Sequence, residues 1–197
     1  DIDGLTTLLP AMLQDAKDRF EVDKFTDGSG TNEPKGVVAS VYAESSRRST
    51  HSTNSAMTVN DVIDAQNALG ARWQSGASWI GSLTYLNRVR LLGSASYSTW
   101  TDRLNEGLGY NIAGKPAYEV SDMSTALSTA TNTAFVYGDF SNYNIVDRIG
   151  MSIEYVPHLF SSGNNLPNGR RGFYAYYRVG ADVTTVTAFV VSTNPGA

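Results

Sequence analysis

The sequence predicts an α+β fold, and three observations carry that prediction. Helical stripes and alternating strands are interleaved along the chain, without the regular βαβα rhythm of a doubly wound sheet. No segment repeats at a fixed period. Only 17% of the residues are charged, while Ser, Thr, Asn and Gly are plentiful, which favours loops and strands over long solvated helices. With 197 residues, 41% of them hydrophobic, the chain suits one large domain or two small intertwined ones. It can bury roughly 70% of the surface it exposes when unfolded.

Each element follows from its own stretch. Leu5, Leu8, Leu9, Met12, Leu13, Ala16 and Phe20 recur at three- and four-residue steps and make one apolar helical stripe. Pro10 lacks a donor and is tolerable only in a first turn, which places the regular helix at about residues 7–24. "DIDG" (1–4) reads as a helix-entry turn, because the further oxygen ligands of a calcium loop are missing. "TDGSGTNEPKG" (26–36) is a Gly/Pro-rich surface loop without the Lys-then-Ser/Thr order of a phosphate cradle. "AESSRRSTHSTNSAM" (43–57) is polar and aperiodic, so it reads as a long mobile loop with a solvated His51. Thr58 caps the next helix with Asp61 three residues on; Val59, Val62, Ile63 and Leu69 share its face and Gly70 stops it. "SWIGS" (78–82) is a short strand, and a helix follows over 83–92.

The C-terminal half is strand-rich. Residues 116–121 alternate, and "TAFVYGDF" (133–140) is a strand ending in a tight turn at Gly138 and Asp139. Beyond it, Ile145, Asp147, Ile149, Met151, Ile153 and Tyr155 share one face of a strand, and Val146, Arg148 and Glu154 lie on the other. A buried carboxylate without a partner costs several kcal/mol, so Asp147 is expected to be paired or at the wet end of the strand. Residues 157–172 form a second long loop. "FYAYYRV" (173–179) is a strand with aromatics on both faces. That pattern requires burial on both sides, or burial on one side and a protein neighbour on the other. "GAD" turns the chain and "TTVTAFVV" (184–191) returns it.

Composition excludes several roles. The net charge is -4, and Arg47–Arg48 and Arg170–Arg171 are short clusters, not the basic stripe that specific nucleic-acid binding needs. There is no cysteine, so disulfides, thiol catalysis and Cys-based zinc sites fall away together, which fits a reducing cytoplasm. His51 and His158 have no ligand partner at metal spacing, so neither metal nor cofactor is expected. No apolar run nears the roughly 20 residues of a membrane span, and no signal-peptide pattern opens the chain. Asp139, Asp147, Glu154 and Asp182 are candidates for acid–base chemistry. No Gly-x-Ser-x-Gly elbow or dinucleotide fingerprint accompanies them, and no enzyme is expected. A reading from another class, a carbohydrate-binding or carbohydrate-active protein, is suggested by the Tyr and Trp content. It requires a concave aromatic pocket with convergent carboxylates.

Two stretches, "FVYGDFSNYNIVDRIGMSIEYVPHLF" and "NGRRGFYAYYRVGADVTTVTAFVV", are similar to the end of tailed-phage major capsid proteins of the Hong Kong 97 fold. "LLPAMLQDAKDRFEVDKFTDGSGTNEPKGVVA" resembles that family's helix and following "G-G-T…P-KG" loop. "DVIDAQNALGARWQSGASWIGSLTYLNRVRLL" resembles its helix, Trp-bearing strand and next helix, and "GYNIAGKPAYEVSDM" a further segment in the same order. The likeness covers nearly the whole chain and is strongest over residues 135–182.

The resemblance implies a shell subunit that joins other copies in hexamers and pentamers of an icosahedral head enclosing double-stranded DNA. Such a subunit is assembled in the bacterial cytoplasm and resides in the virion, with scaffold, portal or decoration proteins as further partners of the full-length form. A nanocompartment shell of the encapsulin type is the alternative within that architecture. The resemblance implies a peripheral-lobe helix and loop over 1–37 and an axial lobe over 38–143. A crossing strand and the return to the peripheral sheet occupy 144–197. Family members carry an N-terminal arm, an extended loop and most of a spine helix upstream. This chain, opening on "DIDGLTTLL" without an initiator Met, reads as starting after them. Structural or interface roles fall to Asp139, Tyr143, Asp147, Arg148, Arg171, Arg178 and Asp182. Asp147 and Arg148 point to opposite faces, so Arg178 or Arg171 is the expected partner of Asp147. Some family members cross-link Lys to Asn between subunits. Asn164, Asn165 and Asn168 lie near the acceptor position, but the lysine-bearing loop is missing, so no cross-link is expected.

Overall fold

A computed structural model describes residues 2–51, 56–92, 100–102, 110–125, 132–163 and 166–194. The helices are α1 (Ile2–Asp27), α2 (Val37–Tyr42), α3 (Val59–Asn67) and α4 (Leu83–Leu92). The strands are β1 (Arg48–Thr50), β2 (Ser78–Gly81), β3 (Trp100–Asp102), β4 (Tyr110–Ile112), β5 (Lys115–Glu119), β6 (Thr133–Gly138), β7 (Tyr143–Val156), β8 (Gly172–Val183) and β9 (Phe189–Thr193). No helix among the described residues is long and apolar enough to cross a membrane. The chain divides into a smaller unit, Asp1–Val22 with Ile145–Gly180, and a larger one, Asp23–Asn144 with Ala181–Ala197.

The larger unit is built on a sheet ordered β1-β9-β6-β2-β5-β4-β3. β1 pairs parallel with β9 and β2 parallel with β5, and the remaining pairings are antiparallel. β6 lies inside the sheet with both faces covered, which is why "TAFVYG" is apolar at nearly every position and buried throughout. Its Phe135 and Tyr137 face α3 and α4, with Trp79 stacked on Tyr137 at 4.1 Å and Tyr85 edge-on to Phe135 at 5.6 Å. Its Val136 faces the opposite cluster, with Val41 of α2, Phe189 and Val191. α3 starts where the sequence places it. Thr58 Oγ1 accepts from the Asp61 N–H, and the Asp61 carboxylate accepts from the Thr58 N–H at 2.7 Å, closing a capping box. Its buried face is Asp61, Val62 and Ala65, and Leu69 is buried just past its end. Ile63 stands exposed, because one residue of helix turns it about 100° away from Val62.

Four expectations change. α1 is already helical at Ile2 and runs through Pro10 rather than starting near Thr7, because a proline inside a helix removes one hydrogen bond without necessarily ending it. The loop expected over 43–57 contains a turn at Ser45–Arg47 and then β1. Arg48 fixes its entry: the guanidinium lies 4.0 Å over the Tyr42 ring and Nε donates to the Tyr42 carbonyl at 2.7 Å. "GAD" does not turn the chain, because β8 runs straight through it to Val183. The Lys35 N–H donates to the Ala181 carbonyl at 2.9 Å, and Asp182 Oδ1 accepts from the Val183 N–H at 2.8 Å. β9 does not return to a sheet with β7 and β8. It inserts between β1 and β6, so residues 23–37 and 181–197 belong with the larger unit.

Among the described residues, the second sheet holds β7 and β8. The Thr184 N–H donates to the Asn142 carbonyl at one end, and the Tyr155 and Phe173 rings meet at 5.4 Å towards the other, so the two strands run antiparallel. The expected loop between them closes as an extension of this ribbon. The Leu159 N–H donates to the Arg170 carbonyl, the Asn168 N–H to the Leu159 carbonyl, and Phe160 bridges Pro167.

Candidate assembly surface

The acidic residues singled out in the sequence are scattered, not converging. Asp139 closes a turn: its carboxylate accepts from the Ser141 N–H at 3.1 Å and the Ser141 hydroxyl at 2.8 Å. Asp182 holds the Ser40 hydroxyl at 3.2 Å, with Lys35 Nζ at 3.9 Å. Glu154 is exposed. Asp147 corrects the expectation of a buried pair. It is exposed, and no ion pair joins it to Arg171 or Arg178 among the described residues. Lys17 of α1 pairs with Glu21 at 2.7 Å; its pKa is raised first by that bond, and the charge of Asp147 adds last to the effect. Arg148, Arg171 and Arg178 are exposed as well. Asn168 is exposed on the loop, and Asn164 and Asn165 lie outside the described residues. Among the described residues no three His, Asp or Glu side chains gather as a metal site.

Tyr143 is half-buried. Its hydroxyl lies 3.2 Å from the Phe25 carbonyl and 3.0 Å from the Lys35 carbonyl, and burial pushes its pKa up to about 12, with the Asp182 charge adding to the effect. His51 reverses the expectation of a solvated ring. It is 3% exposed, and Nε2 lies 2.7 Å from Ser192 Oγ. Burial depresses its pKa, against the opposing charge of Asp61 and a bond to Asn194. Nothing in the polar run around it signalled this burial, which follows from the pairing of β1 with β9. A cleft of about 430 Å³ in the larger unit is lined by Thr26, Asp27, Tyr42, Asp122, Met123 and Asn132 among others. It offers one aromatic ring and two carboxylates, and burial raises the Asp27 pKa, followed by the charge of Asp23.

The smaller unit has a different surface. Both buried clusters, around Trp79 and around Phe189, are made of larger-unit residues. Most of the large apolar side chains exposed among the described residues belong to the smaller unit. On α1 they are Leu8, Met12, Phe20 and Val22, and on the ribbon Ile145, Val146, Tyr155, Tyr174 and Tyr176. The loop adds Leu159, Phe160 and Leu166, with Phe160 63% exposed. β8 resolves the question of its two aromatic faces. Phe173, Tyr177 and Val179 are half-buried, with Lys17 Nζ 5.4 Å above the Tyr177 ring, while Tyr174, Tyr176 and Arg178 face outward. Exposed large apolar side chains concentrated in one unit mark it as a candidate protein-contact surface. The aromatic strand signalled it in sequence; the loop residues Phe160 and Leu166 were missed, although apolar residues in a Gly/Asn/Pro-rich loop are themselves a signal.

The profile of the phage capsid family matches residues 1–194. No curated protein matches the chain. Among solved structures the chain is similar to the capsid of a native GTA particle, with TM-score 0.80 and 24% identity over 97% of this chain and 66% of that one. It is similar to a Gordonia phage Cozz structure, with TM-score 0.61 and 14% identity over 98% and 64%. It is also similar to the holo-SrpI encapsulin complex of Synechococcus elongatus PCC 7942, with TM-score 0.61 and 12% identity over 94% and 63%. The chain thus spans just under two thirds of the length of these proteins. The likeness shows the fold, the α+β capsid fold of the Hong Kong 97 type.

Proposed function

We propose, since the chain belongs to the phage capsid family, that it is a major capsid subunit whose copies join through the smaller unit. Copies form hexamers and pentamers, and these close into an icosahedral head around double-stranded DNA. The larger unit is the axial lobe at the centre of each ring, and the smaller unit is the peripheral lobe along its edge. The role is mechanical and not catalytic. The supporting observation is the smaller unit itself, which adds no residue to either buried cluster and leaves Leu8, Phe160, Leu166 and Tyr174 exposed. Covering one such side chain contributes about 1.5–3 kcal/mol, and closed symmetry repeats each contact around the ring. A net charge of -4 suits a wall that does not grip its genome. Assembly takes place in the host cytoplasm and the product resides in the virion, with scaffold, portal and decoration proteins as further partners.

Electron microscopy of the full-length product tests this reading. DNA-filled shells that are lost in a Phe160→Glu, Tyr174→Glu double variant support it. Monomers from the unaltered protein overturn it. Shells enclosing protein in place of DNA favour the nanocompartment reading, which the likeness to the encapsulin complex keeps in view.

A further inference from the structure

Asn168 and Gly169 form the one Asn-Gly pair in the sequence. They sit at the exposed tip of the ribbon, where the Asn168 N–H donates to the Leu159 carbonyl at 2.9 Å. Gly169 has φ +73°, and an added Cβ would meet nothing within 4 Å. The Arg170 N–H donates to Asn168 Oδ1 at 2.9 Å. This bond folds the carboxamide back over its own main chain and aims a donor at its oxygen. Arg170 and Arg171 add two exposed cations to the same tip.

We propose that Asn168 is a self-modification site, at which the Gly169 nitrogen attacks the side-chain carbonyl and the Arg170 N–H stabilises the resulting oxyanion. A bond forms between the Gly169 nitrogen and Asn168 Cγ, and the bond from Cγ to the side-chain nitrogen breaks. The Gly169 amide proton, passed through solvent, joins the departing NH2, which leaves as ammonia as the oxyanion collapses to the new carbonyl. The product is a five-membered succinimide, and nothing is oxidised or reduced. Water, the one co-reactant, then opens the ring at either carbonyl to give aspartate or isoaspartate.

Three features favour the step. Glycine presents no side chain to obstruct the approach. The Arg170 N–H already lies at the oxygen that becomes anionic, where an oxyanion donor acts. The neighbouring guanidinium charges favour loss of the Gly169 amide proton. The product places a carboxylate beside Arg170 and Arg171. The isoaspartate route also inserts one main-chain carbon between residues 168 and 169, which breaks the register of the Leu159–Arg170 rung.

The test is incubation of the chain at mildly alkaline pH, followed by peptide mass spectrometry and isoaspartate quantification. Asn168 is expected to convert several-fold faster in the native chain than in the urea-unfolded chain, and faster than Asn144 in the same sample. Arg170→Ala keeps the N–H and Arg170→Pro removes it. Arg170→Pro is expected to be roughly tenfold slower than Arg170→Ala, less than the hundredfold of an enclosed oxyanion donor because this one faces water. A native rate no greater than the unfolded rate, or equal rates in the two variants, overturns the proposal. The comparison with the unfolded chain needs no variant to fold.

Discussion

The Tyr143 hydroxyl reaches two main-chain carbonyls, one at the end of α1 and one in the turn before α2, and its ring lies edge-on to Phe25 at 6.4 Å. Sequence marked Tyr143 only by its place in a family motif, since partners so far along the chain leave no local trace. Tyr143→Phe is expected to cost about 1–2 kcal/mol, read as a lower urea midpoint at unchanged slope. His51 gives a pH dependence. Its folded-state pKa lies below the ordinary 6.5, so the folded chain binds fewer protons than the unfolded one. This contribution is complete above 6.5 and is lost as pH falls from there through the depressed folded value. Asp61 on α3 acts on the ring, while Ser192 of β9 and Asn194 just after it are the neutral groups at the ring. Melting temperatures of His51→Gln should therefore be flatter than wild type between about pH 7 and pH 5. Parallel curves would remove His51 as the cause. Asp147 offers the opposite lesson: alternation located its strand, but its exposure, which alternation does not report, explains how a carboxylate follows the isoleucine phase.

Among the elements, those with local instructions were legible. The capping box of α3 is written in Thr58 and Asp61, and Thr58→Ala is expected to lower stability by about 1 kcal/mol in the same urea titration. β6 was legible because its apolar run satisfies two covered faces. β1 was not, because Arg48, Ser49 and Thr50 form an edge strand held by main-chain bonds to β9, which polarity does not report. α1 was legible as a helix but not in its start. Pro10 supplies no N–H to the carbonyl of Thr6, so the helix persists there with one rung missing. Pro10→Ala restores that rung and is expected to raise helix content by circular dichroism. It should stabilise α1 by up to about 3 kcal/mol.

For the whole molecule, the α+β class and the strand-rich C-terminal half follow from local periodicity, whereas the division into units depends on pairings between distant segments. β9 lies close to β8 in sequence yet belongs to another sheet, and no pattern within "TTVTAFVV" says which sheet receives it. The division has a consequence for stability. In the larger unit β6 and β9 sit between two buried clusters, so their amides should exchange only on opening close to the global unfolding free energy of about 5–15 kcal/mol. The ribbon has two strands and an outward face of Tyr174, Tyr176 and Arg178, and an isolated two-stranded sheet is marginal in water. Hydrogen exchange on the unassembled chain should therefore show residues 145–180 exchanging far ahead of β6 and β9. In assembled shells, the same residues should gain protection while β6 and β9 change little. Equal protection of the two units in the unassembled chain would mean that the smaller unit is stable without a neighbour. It would also remove the physical reason for assigning the contact surface to it.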